Sequence, residues 1–316
     1  MKKFSTIAEQ MDLLTSRGLK IHDRDKASLY LLTNNYYNII NGYGRFFPRS
    51  GENYTAGTSF NEIAQLYLFD REIKQSLFNA ILSAENHIKA SFAYRFAEKY
   101  PNIPFAYLNT SCYNQDKTLS VVATISRLSY IIEQQKKKKH SSINHYLNHH
   151  GDIPIWVLSN SLNFGELRYM ISLVTTDIQN QVAKDMLSFI KAHIPAPSTF
   201  LPETMISFID NIHEVRNVCA HNNRLLDFHC RHDSRYWKDL HDLYNVPANS
   251  ERNNVYSVFI SLQCFLSLVE YGTLHNKLLK LMLHLDKHIK TISTENIYHS
   301  LGFPTDWCKT STKIQY

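Results

Sequence analysis

Arg216, Asn217 and His221 are the three side-chain types that acid–base chemistry on a phosphodiester calls for. An imidazole titrates near neutrality and passes a proton in either direction. A guanidinium offers a planar fork that matches two phosphate oxygens at once, and a carboxamide both donates and accepts hydrogen bonds. The spacing is Arg216, Asn217, three residues, His221. On a helix, side chains four residues apart meet, so Asn217 and His221 share a face. His213 extends that row by one turn, and Arg224 lies a turn beyond His221.

A helix is what the surrounding residues predict. Phe208, Ile212, Val215 and Cys219 step by four, three and four, the stripe of an amphipathic helix with one buried face. Pro202 stands where proline is tolerated, at the opening turn. Upstream, the pattern predicts a short helix over 5–17 capped by Ser5 and a second from Asp23 or Asp25 towards Tyr36. The aromatic segment 36–47 is read either as packing the first helices onto the body or as stacking RNA bases. Ser59 and Glu62 form a capping-box pair ahead of the longest helical pattern, Ile63 to Phe96. Glu85 in that helix is the candidate for orienting Arg216 and His221, the alternative being a surface carboxylate paired with His87 or Lys89. Further helices are expected over 119–132, 153–162, 166–175, 178–201, 254–271 and 274–291, with Trp156 and Phe164 as anchors of the turn at Asn163-Phe164-Gly165.

Composition sets the class. The chain has 316 residues, 44% hydrophobic and 20% charged, which is globular and not disordered. Only nine Gly and nine Pro suit long helices. A net charge of +6 and 16 His favour a polyanionic partner. Lys136, Lys137, Lys138 and Lys139 form one basic run, and Lys280 and Lys287 lie on a mostly basic face of the last long helix. These six are candidate RNA contacts, a solvated surface being the plain alternative. Five scattered cysteines without CxxC spacing point to a reducing, cytoplasmic compartment. The start, MKKFSTIAEQMDLL, lacks the apolar run of a signal peptide, and Val255 to Val269 is too short and too interrupted for a membrane span. His145, His149 and His150 lack a carboxylate or Cys to complete a metal set. Cys219 and His221 point to different sides of their helix and would not share a zinc ion with Cys230 and His232. No metal and no cofactor is expected.

The string RNVCAHNNRL at 216–225 resembles the Arg-x4-His signature of HEPN ribonucleases, and specifically the abortive-infection (Abi-like, AbiD/AbiF) proteins of that superfamily. Other landmarks occur in the family's order: Asn35-Tyr36-Tyr37 with Gly42-Tyr43, Leu66 to Arg71, Pro154-Ile155-Trp156 with Asn163-Phe164-Gly165, and Leu301 to Trp307. The resemblance implies an all-α, HEPN-like helical bundle with additional N-terminal and middle helices. Its parts would be N-terminal helices over 1–58, a body over 59–293 with a basic segment at 134–152, and a C-terminal tail over 294–316.

It further implies a metal-independent endoribonuclease of phage defence or of a toxin–antitoxin system. Arg216, His221 and Asn217 would be catalytic, with His213, Arg224 and Glu85 in support. The products would be 2′,3′-cyclic phosphate and 5′-OH ends. The expected partners are RNA, as substrate and as a regulatory non-coding RNA, and a second copy in a homodimer whose two motifs form one site. A non-catalytic RNA-binding module or scaffold of a defence system is the alternative.

Overall fold

The computed structural model describes residues 4–316 and is all-α. Fourteen α-helices are found among those residues. They are α1 (Ile7–Ser16), α2 (Arg24–Asn34), α3 (Phe60–Lys99), α4 (Thr118–Lys136), α5 (Ser142–His150), α6 (Ile155–Leu158) and α7 (Phe164–Leu173), followed by α8 (Thr176–His193), α9 (Pro202–Ala220), α10 (Lys238–His241), α11 (Val255–Ser261), α12 (Leu268–His288), α13 (Thr294–Ser300) and α14 (Trp307–Thr310). Strand structure among them is limited to one two-residue hairpin, Arg49–Ser50 against Asn53–Tyr54.

Short-range chemistry sets most of the boundaries, and several differ from the expectation. Thr6, not Ser5, caps α1: Thr6 N–H donates to Glu9 Oε2 (2.7 Å) and Glu9 N–H to Thr6 Oγ1 (3.2 Å), because the glutamate stands three residues after the threonine. Asp23 caps α2, and Ser59 with Glu62 makes the expected box before α3. The helix expected over 153–162 is only α6 followed by a 3-10 turn, since Asn163 and Glu166 form a reciprocal cap that starts a new helix at Phe164. Phe164 is buried, whereas Trp156 is 54% exposed and anchors no core. α8 stops at His193, ahead of Pro195 and Pro197. The helix expected over 254–271 breaks after Ser261. Ser267 and Glu270 then cap α12 (Glu270 N–H to Ser267 Oγ, 3.3 Å), which runs on through Gly272. Beyond residue 293 the chain still forms α13 and α14.

The chain divides into two compact units. Unit 1 comprises 1–78, 218–229 and 272–316; unit 2 comprises 79–217 and 230–271. In unit 1, Ile63, Leu66, Phe69, Ile73 and Leu77 of α3 are buried, as are Leu225, Leu226, Leu278, Met282, Tyr298 and Phe303. Unit 2 buries Ile81, Ile88, Phe92 and Phe96 of α3, Leu167 and Met170 of α7, and Phe208, Ile212 and Val215 of α9. Side chains of this size each stabilise the fold by about 1.5–3 kcal/mol when removed from water. The stripe of α9 therefore fixes which of its faces remains for chemistry.

Candidate active site

On the unit 2 part of α9 the His213–Asn217 step of the expected row is made. Asn217 Nδ2 lies 3.2 Å from His213 Nε2, and Arg216 Nη1 lies 3.5 Å from Asn217 Oδ1. Burial first, then the positive charges of Arg168 and Arg216, push His213 down from 6.5 to about 4, with Asp210 opposing. The ring is therefore neutral at physiological pH. In the tautomer with its proton on Nδ1 the ring accepts at Nε2 from the carboxamide, the arrangement that leaves Asn217 Oδ1 to the arginine. The ring is fitted into place: Phe164 meets it edge-on at 5.9 Å, and a Cβ on Gly165 would lie 3.0 Å from Nε2. The capped start of α7 thus positions a residue on α9.

A polar cavity of about 300 Å³ opens beside this row, lined among others by Arg168, Asp210, His213, Glu214, Asn217 and Arg231. Arg168 Nη1 donates to Asp210 Oδ1 (2.6 Å), tying α7 to α9. Glu214 Oε2 accepts from the Arg231 backbone N–H (3.1 Å). Donors and acceptors both line the space.

In unit 1, His221 is the residue at which α9 ends. Asn223 N–H bonds to Val218 O (3.0 Å) and Asn222 N–H to Cys219 O (3.2 Å), with Asn222 at φ 51°. These are the two bonds of a Schellman turn, and asparagine tolerates the left-handed position it needs. His221 itself is exposed. The chain after it is held from beneath by a buried pair on α3. Asp70 Oδ1 accepts from the N–H groups of Leu225 (3.0 Å) and Leu226 (3.1 Å), and Asp70 Oδ2 accepts from Tyr43 Oη (2.7 Å). Lys74 Nζ lies 3.0 Å from Asp70 Oδ2 and donates to Asn222 Oδ1 (2.8 Å) and Asn223 O (3.2 Å). Arg224 donates to Gly42 O (2.7 Å) and Leu226 O (3.1 Å) and lies over Phe46, so its guanidinium fastens this segment to residues 42–46.

The remaining candidates are placed as follows. Glu85 is buried, pairs with Lys89 (3.4 Å) and keeps Oε2 without a hydrogen-bond partner. Lys136 reaches Glu133 (3.7 Å) at the end of α4, and Lys137, Lys138 and Lys139 are exposed beyond it. Lys280 and Lys287 are exposed on α12. Burial pushes the thiols of Cys219 and Cys230 up to about 12, the protonated form that does not ligate. Among the described residues no group of three or more His, Cys, Asp or Glu is placed to share a metal ion. Of the aromatic segment, Tyr43 and Phe47 are buried and Tyr37 is 68% exposed.

Sequence reasoning passed over Asp70, Lys74 and Arg168 as parts of the site. The first two had one signal, charged residues four apart within the apolar stripe of α3. Arg168, two residues past Glu166, had none.

No helix among the described residues is long and apolar enough to cross a membrane. Neither the curated proteins nor the solved structures contain a match to the chain. A family model described as Abi-like protein matches residues 29–227, a span that includes α3, the cap of α7 and the whole of the Arg-x4-His stretch. With well over half of its length matched, the chain belongs to the Abi-like protein family.

Proposed function

We propose that this Abi-like protein is a metal-independent endoribonuclease of abortive infection, acting through Arg216, Asn217 and His221. RNA supplies its own nucleophile, the 2′-OH. What the protein must add is a proton acceptor, a proton donor and a cation for the charge that develops on the phosphate. His221, exposed at the end of α9, suits the proton transfers. Arg216 suits the phosphate, and Asn217 orients the group it faces. The observation that carries the reading is the ordered row on α9: a neutral His213 holds Asn217 at 3.2 Å, and Asn217 reaches Arg216. Such an arrangement is more than the end of a solvated helix requires. Cleavage would leave 2′,3′-cyclic phosphate and 5′-OH ends, and two copies would pair motif to motif in a homodimer. Lys136 to Lys139 would add phosphate contacts outside the motif, and a regulatory RNA or a small partner would hold the activity in check.

The experiment incubates purified protein with an end-labelled mixed RNA pool in EDTA, wild type beside His221→Ala and Arg216→Ala, and maps the ends. Losing a general acid–base group costs about 10²–10⁴ in rate and losing a charge-stabilising donor about 10²–10³, so cuts with cyclic-phosphate ends should all but vanish in both variants. Equal cleavage by wild type and His221→Ala would overturn the reading. RNA retention without cleavage would favour a non-catalytic RNA-binding module.

A further inference from the structure

Lys277, Lys280, His284 and Lys287 follow one another along α12 at steps of three, four and three, and so share one face over roughly 15 Å of helix. They line a groove of about 600 Å³ whose other lining residues are Asn276, Leu279, Leu283 and Lys313. None of the residues lining it is acidic. Lys277 reaches Glu72 (3.5 Å), outside the lining. Leu283, 43% exposed, and the buried Leu279 give the groove an apolar floor. Burial first, then the charges of His288, Lys287 and Lys280, hold His284 below its ordinary value, which registers the crowding of positive charge.

Lys313 comes from far along the chain, and the fold places it with care. Asn276 clasps Ile314 through both of its amide atoms, Nδ2 to Ile314 O (3.0 Å) and Oδ1 from Ile314 N–H (2.9 Å). Thr273 Oγ1 meets Tyr316 Oη at 3.1 Å. A Cβ on Gly272 would lie 2.5 Å from the Tyr316 ring, so only glycine admits the ring there. The segment 313–316 is docked on α12, and Lys313 at its head completes the lining of the groove.

We infer that this groove binds a single strand of RNA, its phosphates on Lys280, Lys287 and Lys313 and its bases over Leu279 and Leu283. The inference rests on RNA being the ligand of this protein, as proposed above. Lysines that make no ion pair across the groove, set over an apolar floor, suit a flexible polyanion carrying flat apolar faces. A carboxylate-rich peptide shares the charge but has no planar groups to cover the leucines.

The test uses the full chain carrying His221→Ala, so that bound RNA stays intact, and a fluorescein-labelled single-stranded RNA of mixed sequence read by anisotropy between 50 and 300 mM salt. Each lost phosphate contact on a single strand lowers the log–log salt slope by about 0.7. The triple variant Lys280→Gln/Lys287→Gln/Lys313→Gln should therefore show a slope shallower by about 2 and an affinity roughly 100-fold lower at 0.1 M salt. The double variant Lys280→Gln/Lys287→Gln, which leaves the docked segment untouched, should show about two-thirds of the slope change. An unchanged slope and Kd in both variants overturns the inference, as does failure of the His221→Ala parent to bind RNA. A polyglutamate probe of equal charge binding more tightly than RNA, and lost in the triple variant, overturns it in favour of an acidic peptide. Cleavage is scored separately. Wild type that binds through the groove but never cuts removes the nuclease reading alone, and wild type that cuts while the groove variants bind normally removes the groove alone.

Discussion

Replacing Asp70 by alanine should do more harm than any change to the motif itself, and its cost can be worked from the contacts. The carboxylate is fully buried. It accepts two backbone N–H groups and a tyrosine hydroxyl and faces the Lys74 ammonium, which is 4% exposed. Asp70→Ala leaves that ammonium buried with only Asn222 Oδ1 and Asn223 O. Removing one partner of a buried ion pair costs about 3–5 kcal/mol. Each orphaned backbone N–H adds about 1–3 kcal/mol unless water reaches it. A total of at least about 5 kcal/mol follows where water reaches neither N–H. Lys74→Met is milder, because Asp70 keeps three of its donors; the lower end of that range, about 3 kcal/mol, is expected. The double variant Asp70→Ala/Lys74→Met should cost less than the sum, since no charge is then left unpaired. Urea unfolding of the three variants measures this. Equal midpoints for Asp70→Ala and wild type, or a double variant that costs the full sum, would refute the reasoning. Since the same pair supports residues 222–226, cleavage by Asp70→Ala should fall with its stability, and Lys74→Met should retain more of it.

Gly165→Ala should press on the His213 ring, costing about 1 kcal/mol in thermal unfolding and lowering cleavage without touching the motif; unchanged rates would detach His213 from the site. Burial lowers His193, His241 and His275 as well as His213, which falls from 6.5 to about 4. The unfolded chain then binds protons that the folded chain refuses, so stability is complete above about pH 6.5 and is lost as pH falls towards 4. Unfolding midpoints at pH 7.5 and 5.0 should differ, and His213→Gln should narrow the gap. Gly272→Ala should expel the Tyr316 ring and raise the susceptibility of 311–316 to carboxypeptidase, a change that limited digestion and mass spectrometry would show.

What could be read in the residue order was whatever repeats at helical spacing. The buried stripe of α9 and the His213–Asn217 row follow from steps of three and four, and both are found. The capping pairs were legible only where a Ser or Asn with its Glu was noticed: Ser59 with Glu62 was, Ser267 with Glu270 was not. That pair splits α11 from α12 inside a largely apolar run, so hydrophobic pattern alone concealed it. The positions of Asp70 and Lys74 beneath residues 222–226 were not legible, because the contact spans about 150 residues of chain. Arg224 read as a supporting residue one turn beyond His221, and two backbone carbonyls occupy its guanidinium. Lys313 had no periodicity to mark it, since the clasp with Asn276 and not a helix sets its place.

Unit 1 is assembled from three stretches of chain, 1–78, 218–229 and 272–316, and the second of them contains His221. Asp227 N–H bonds to Ser300 O (3.1 Å), so the short middle stretch leans directly on the last one. A growing chain can therefore lay residues 222–226 on Asp70 and Lys74 of α3 early, and only the bond of Asp227 to Ser300 waits until residues near 300 have emerged from the ribosome. Unit 2, by contrast, has all its residues by position 271. The order of synthesis thus leaves the contact between the 218–229 stretch and Ser300 among the last of this unit to form.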